Sequence, residues 1–178
     1  MDIARWLCCF GRRRSMDPSQ NADFKALLGL IREIEIGLLT TLEGTRRFHT
    51  RPVQTLRCDD AGVLWFFTDL GSPKAKEVRG DARVSIGYAH LARGHYAVVD
   101  GQARIGRDRA KAAELWKPLQ RAWYPKGLDD PRLGVLEVRI ERAEYWITPG
   151  RASYALAAAR ARLTGTPATV GEDVKLRR

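Results

Sequence analysis

The first interpretable pattern in the chain is a helical one. Phe24, Leu27 and Ile31 recur at intervals of three and four residues, which predicts an amphipathic helix over about residues 21–33. After this helix, apolar residues alternate with polar ones, as they do in strands that bury one face. The pattern therefore predicts one helix followed by a mainly β domain.

Six segments carry strand-like patterning and follow each other in hairpin order: 36–42, 46–57, 63–68, 83–90, 95–105 and 133–147. The fifth is expected to be broken by a bulge near Asp100 and Gly101. Helical segments are predicted at 73–79, 109–116 and 152–163. Successive hairpins favour an antiparallel sheet over strand–helix–strand units, and closure into a small barrel would remove its exposed edges.

The composition constrains partners and location. The chain carries 31 Lys and Arg against 21 Asp and Glu, a formal charge of +10, which favours anionic partners. Part of this excess lies near the two ends, so nucleic acid is not the favoured partner. No apolar run approaches the roughly 18 residues of a membrane-spanning helix. Cys8, Cys9 and Cys58 form no C-x-x-C pair, which argues against a disulfide framework or a zinc site and fits a reducing, cytoplasmic setting.

The chain is expected to divide into three parts. Residues 1–18 combine vicinal cysteines with arginines and are expected to be disordered, as an extension upstream of a true start at Met16. A lipidated membrane anchor is the alternative for this segment. Residues 19–165 are expected to form a single domain, and residues 166–178 a loosely ordered basic tail.

Candidate chemistry concentrates between Arg46 and Lys74. Alternation puts five residues on one face of the second strand: Arg47, His49, Arg51, Val53 and Thr55. The first three could hold a phosphate. Pro52 cannot donate to a strand ladder, so this strand is expected at an edge or locally distorted. Free backbone groups at Val53 and Gln54 could then read the edge of a flat ring.

The other end of this stretch is a predicted helix start. Ser72 is a candidate N-cap, and Pro73 suits the first helical position. A helix N-terminus attracts anions, and Lys74 adds a full charge. Taken alone, this is more often a plain cap with a solvated lysine, and a single histidine such as His49 is more often a surface residue. The predicted strand 63–68 lies between them and is rich in aromatic residues. Together with this strand, the two ends suit a flat phosphorylated small molecule, and flavin mononucleotide is the natural candidate.

A second aromatic group follows, formed by Trp116, Trp123 and Tyr124. Core packing beneath the predicted helix and contact with a ligand are equally compatible with it. The sequence offers no catalytic triad, metal-ligand cluster or carboxylate pair. A bound redox cofactor would need few catalytic side chains.

Five motifs in one order resemble the general stress protein 26 branch of the pyridoxamine 5′-phosphate oxidase-like split barrels: HTRPVQ, LWFFTDLGSPKAKEV, DARVSIGYAH, ELWKPLQRAWYP and EYWITPG. The resemblance covers about residues 20–165, and the closing VGEDVKL is also similar. It implies a six-stranded antiparallel split β-barrel with flanking helices. It further implies a homodimer with FMN, or alternatively FAD, at the interface.

The resemblance also implies a set of cofactor-binding residues: Arg51, Val53, Gln54, Phe67, Thr68, Ser72, Lys74 and Trp116. Arg51 and Lys74 would contact the phosphate, with Ser72 assisting. Val53 and Gln54 would lie along the flavin through backbone contacts. Phe67 and Thr68 would line the same site, and Trp116 is expected to arrive from the partner subunit.

The leading functional hypothesis is an FMN-binding protein of the general-stress type, acting as a flavin-dependent oxidoreductase of unknown substrate. A non-catalytic flavin-binding or sensing module is the alternative. A pyridoxamine 5′-phosphate oxidase is less favoured, because the arginine-containing C-terminal signature of that enzyme is replaced by VGEDVKLRR. Val53 also stands where the family usually has methionine, a change that leaves a backbone role open.

Overall fold

The computed structural model describes residues 22–44, 47–147, 160, 162 and 172–177. Within them the strands are β1 Ile36–Glu43, β2 Arg47–Gln54, β3 Arg57–Cys58, β4 Val63–Asp69, β5 Arg83–His90, β6 His95–Gly106, β7 Leu133–Ile147 and β8 Glu172–Arg177. The α-helices are α1 Ala22–Ile34, α2 Pro73–Gly80 and α3 Arg109–Leu115, followed by 3₁₀ turns at Pro118–Ala122 and Gly127–Asp129. No helix in these residues is long and apolar enough to cross a membrane.

The strands form one antiparallel sheet in the order β2-β1-β5-β6-β7-β4-β3, and β8 pairs with β7. All six predicted strands are present, and the mainly β, antiparallel class with flanking helices is confirmed. The strand count is eight instead of six in the described residues. One addition arises because the predicted segment 46–57 divides into β2 and β3.

The other addition, β8, lies in the predicted basic tail. It pairs with β7 in register, Leu176 is buried in the main core, and Val174 packs against that core. The expectation of loose order is therefore wrong for residues 172–177. The N-terminal extension and nearly all of the predicted helix at 152–163 lie outside the described residues.

The main core fills the space between α1 and the curved sheet. Leu27 and Ile31 of α1 are fully buried, as are Leu39, Phe66 and Leu136 of three strands. A smaller cluster packs where α3 covers β4 and β7. Alternating residues of β4 therefore contribute to two different apolar clusters.

The edge position predicted for the second strand is confirmed, whereas the bulge predicted in the fifth strand lies on its partner strand. β2 lies at one end of the sheet order and, among the described strands, pairs with β1 alone, as the proline in this strand requires. The register between β6 and β7 shifts between Asp100 and Gly101. The extra residue is Glu141 of β7, so the bulge lies on the opposite strand. A Cβ at Gly101 would stand 2.1 Å from the carbonyl oxygen of Arg139, which explains why glycine is needed there.

Candidate functional site

Helix α2 begins as its sequence predicts. Ser72 has extended backbone angles, its Oγ accepts a hydrogen bond from the Ala75 amide at 3.3 Å, and Pro73 opens the helix. The Ser72 hydroxyl also donates to the carbonyl oxygen of Asp69 at 2.6 Å. Because its proton is used there, Ser72 mainly fixes the start of the helix that carries Lys74.

A buried carboxylate on α2 gathers polar groups from two strands. Glu77 Oε2 accepts hydrogen bonds from Arg51 Nη2 at 2.6 Å and from Thr41 Oγ1 at 2.5 Å. Glu77 Oε1 lies 2.9 Å from His49 Nδ1, and Arg51 Nη1 donates to Thr41 Oγ1 at 2.5 Å. We call these four residues, Thr41, His49, Arg51 and Glu77, the Glu77 cluster. It shows that His49 and Arg51 share the predicted face of β2.

The Glu77 carboxylate is ionised although only 5% of its side chain is exposed. Burial raises the pKa of Glu77, but hydrogen bonds from Thr41, His49 and Arg51 outweigh burial and lower this pKa to about 2. Arg51 adds an attractive charge to its hydrogen bond. The cluster is therefore a charged network whose members hold each other in place.

Lys74 lies close to the Glu77 cluster but outside its hydrogen bonds. It is half-buried and makes no ion pair or hydrogen bond with any other residue in the described part of the chain. Burial lowers the pKa of Lys74, the positive charge of Arg51 lowers it further, and Asp69 opposes both effects. Two cations thus stand near each other, and one of them lacks a direct anionic partner.

Thr68 contributes a second unsatisfied group. Its side chain is 2% exposed, and its Oγ1 has no hydrogen-bond partner in the described residues. A buried hydroxyl without a partner typically costs about 1–3 kcal/mol. Thr68 ends the aromatic part of β4, four residues before the cap of α2. Such a group would gain a partner from a ligand bound beside the helix start.

The aromatic residues form a separate cluster on the other face of β4. The ring of Phe67 lies 5.9 Å from that of Trp116 and 6.2 Å from that of Tyr124. Trp123 is 58% exposed and does not join them. We call Phe67, Trp116 and Tyr124 the aromatic cluster. Trp116 therefore packs within its own chain, while a contact with a partner subunit stays a prediction.

The remaining predicted residues lie on β2 and β4, and their contacts with a flavin stay a prediction. Val53 is buried in the main core, so only its backbone is available to a ligand, and Gln54 is exposed at the end of the edge strand. Phe67 and Thr68 are neighbours on β4, but their side chains leave opposite faces of it. Thr68 shares the face of β4 that carries the core residue Phe66, whereas the Phe67 ring is held in the aromatic cluster.

Sequence reasoning missed Glu77 and Thr41. Glu77 lies in the polar helix sequence PKAKEVRG, where a glutamate would ordinarily face solvent. Thr41 could have been found from the sequence, because the alternation along β1 places it on the same buried face as Leu39. A hydroxyl at such a position must find a partner inside the protein.

The chain is similar to one family over most of its length. The sequence profile of the family described as pyridoxamine 5′-phosphate oxidase like matches residues 22–168. The bli-3 protein of Neurospora crassa is 27% identical over 149 residues, which are 78% of this chain and 71% of that protein.

Solved structures share the fold. General stress protein 26 of Jannaschia sp. CCS1 has a TM-score of 0.72 at 27% identity and covers 89% of this chain and 100% of its own. The general stress FMN/FAD binding protein of Xanthomonas citri has a TM-score of 0.61 at 26% identity, over 69% of this chain and 87% of its own. A Clostridium acetobutylicum protein related to general stress protein 26 has a TM-score of 0.65 at 15% identity, which shows a shared fold alone.

The resemblance drawn from the five motifs is thus confirmed by sequence and by fold. The matched region begins with α1 and includes the Glu77 cluster, Lys74, Thr68 and the aromatic cluster. The chain belongs to the pyridoxamine 5′-phosphate oxidase-like family.

Proposed function

We propose that this protein binds FMN, with Arg51 and Lys74 contacting the phosphate. The observation that carries the proposal is Lys74, a half-buried cation beside Arg51 that makes no ion pair within the described residues. A desolvated cation without a partner is unfavourable, and a phosphate would supply charge-assisted hydrogen bonds. Its position in the first turn of α2 adds the favourable field of a helix N-terminus.

The neighbouring groups suit the rest of a flavin. The orphan hydroxyl of Thr68 would gain a partner, and the backbone of Val53 and Gln54 lies at the end of an edge strand. Ser72 keeps Lys74 at the start of the helix. When bound, FMN would supply redox chemistry through its ring system, while this chain would bind and orient it. The similar protein of Xanthomonas citri is described as binding FMN or FAD, which supports a flavin as the ligand.

We also propose a homodimer with the flavin at its interface. The outer face of β1 and β6 leaves Ile36, Leu38, Tyr96 and Val98 between 37% and 60% exposed. Leu38 and Val98 stand in one row across β5, and Ile36 pairs with Gln54 of the edge strand. The apolar face therefore continues to the proposed flavin edge, where a second copy could complete the site.

The central experiment is a flavin titration of the purified chain, with an absorption spectrum and mass identification of any released cofactor. Lys74→Ala should weaken FMN binding by roughly 1.5–3 kcal/mol, the worth of a charged hydrogen bond. Lys76→Ala is the matched control, because Lys76 is exposed on the same helix and should leave FMN affinity unchanged. Arg51→Ala is less informative, because it leaves Glu77 buried without its cation. A protein that binds no FMN at micromolar concentration would refute the proposal.

Two further measurements test the homodimer and the oxidoreductase activity separately. Leu38→Glu should convert the dimer to a monomer in light scattering, whereas Leu91→Glu, at an exposed loop position outside this face, should not. Steady-state turnover with NAD(P)H would support an oxidoreductase, and its absence in flavin-loaded protein would favour a binding or sensing module. We expect no pyridoxal phosphate from pyridoxamine phosphate and oxygen.

A further inference from the structure

A buried carboxylate holds the arginine that the proposed phosphate site uses. We propose that Glu77 is a positioning residue, which aims the Arg51 guanidinium at the phosphate and thereby sets the preference for FMN over riboflavin. This role rests on the proposed function, since it assumes a phosphate beside Arg51 and Lys74. It assigns a task to Glu77 and Thr41, which the family resemblance left without one.

The hydrogen bonds of Arg51 order its guanidinium but do not use all of its N–H donors. Nη2 donates to Glu77 and Nη1 donates to Thr41, which fixes the plane of the guanidinium. An arginine carries five N–H donors, so donors remain for a ligand. Thr41 in turn donates to the same oxygen, Glu77 Oε2. The arginine is thus oriented by two groups that are themselves mutually fixed.

The position of Glu77 on α2 links the two cations. Glu77 follows Lys74 by three residues, a spacing that places both on one face of a helix. One helix therefore presents Lys74 itself and holds Arg51 through Glu77. Because Arg51 lowers the pKa of Lys74, the two cations repel each other. Asp69 opposes this repulsion at Lys74, and the Glu77 carboxylate holds Arg51 by a charged hydrogen bond, so that both cations could meet a dianion.

The hydrogen bonds to Glu77 also support β2, which is an edge strand. β2 hydrogen-bonds to β1 alone, so its outward side has no neighbouring strand in the described sheet. Arg51 and His49 of β2 both bind Glu77 of α2, which ties the edge strand to the helix start. An arginine already held in place loses less side-chain freedom when the phosphate binds. The negative charge of Glu77 acts in the opposite sense, by repelling the phosphate.

The experiment compares FMN with riboflavin, which lacks the phosphate, in the full-length chain. The ratio of the riboflavin dissociation constant to the FMN dissociation constant reports what the phosphate contributes. Glu77→Gln should lower this ratio about tenfold, which corresponds to roughly 1.4 kcal/mol, and leave riboflavin affinity within about twofold. Lys76→Gln, a change of charge at an exposed site of the same helix, should leave the ratio unchanged.

Other outcomes would overturn the role. A ratio that rises in Glu77→Gln would show that repulsion of the phosphate outweighs positioning. A parallel loss of both affinities, with a lower melting temperature, would show a merely structural role. If Glu77→Gln does not fold, Thr41→Val and Thr41→Ser decide: valine should lower the ratio and serine should keep it, and equal ratios would refute the proposal. Equal FMN and riboflavin affinity in the native protein would instead refute the phosphate site itself.

Discussion

The Glu77 cluster and the aromatic cluster are held together in opposite ways. The Glu77 cluster is built from charged hydrogen bonds, and beside it stands Lys74, a cation that makes no ion pair with any other described residue. In the aromatic cluster the ring of Phe67 packs against the rings of Trp116 and Tyr124. The difference suggests that an external anion would complete the first region, whereas the second is already complete. Ligand binding and stability should therefore respond separately to substitutions in the two regions.

The largest effect should come from acid acting on the Glu77 cluster. The pKa of Glu77 lies below its ordinary value of 4.5, at about 2, so its contribution to stability is fully present above about pH 4.5. It is lost as the pH falls from there through 2. The shift corresponds to roughly 3 kcal/mol. Urea unfolding should show a steep loss of stability between about pH 4.5 and pH 2 in the native chain and a shallower loss in Glu77→Gln.

Two controls make the acid experiment specific. Glu43→Gln, at an exposed end of β1, should follow the native pH profile. Phe67→Ala should lower stability equally at all these pH values, since it removes no titrating group. A Glu77→Gln profile parallel to that of the native protein would contradict the assignment of the acid loss to Glu77.

The next effect should come from the aromatic cluster. Phe67→Ala should lower the free energy of unfolding by about 2 kcal/mol, less than for a fully buried phenylalanine because Phe67 is only half-buried. FMN affinity of the folded fraction should change much less. Trp123→Ala removes an exposed ring outside the cluster and should change stability by no more than about 0.5 kcal/mol. Loss of FMN binding without loss of stability would instead make Phe67 a wall of the ligand site.

The smallest effect should distinguish a ligand-facing hydroxyl from a structural one. Thr68→Val removes a buried hydroxyl that has no hydrogen-bond partner among the described residues, so the ligand-free protein should become more stable by about 1 kcal/mol. FMN affinity should fall by a similar amount. Thr40→Val removes a hydroxyl that is bonded to Thr50 at 2.8 Å and should not change FMN affinity. Lower stability in Thr68→Val, measured without flavin, would contradict this assignment.

The parts of the fold that could be predicted from sequence depend on local rules. Pro52 indicates an edge strand because it lacks a donor, and Ser72-Pro73 indicates a helix start because of its capping geometry. Both signals act within a few residues and need no knowledge of distant neighbours. The pairing of β8 with β7 joins segments far apart in sequence, and its short alternation of Val174 and Leu176 was too weak to predict a strand.

The candidate site was predicted in part for the same reason. Alternation correctly placed His49 and Arg51 on one face, but it could not show that both bind Glu77, 28 and 26 residues away. Phe67 and Thr68 were grouped because they are adjacent in a motif. Successive side chains of a strand point to opposite faces of the sheet. The residues packed against each face therefore determine the role of Phe67 and of Thr68, and these residues lie far away in sequence.

The proline of β2 has a consequence for how the protein behaves in solution. An exposed edge strand offers a row of donors and acceptors to which another chain can add. Pro52 interrupts the row of donors in the same strand that carries Arg51. The edge therefore resists growth into a larger sheet while its side chains and terminal backbone groups stay accessible. A substitution such as Pro52→Val would restore the one missing N–H donor and expose a continuous edge, and aggregation should be its first visible effect.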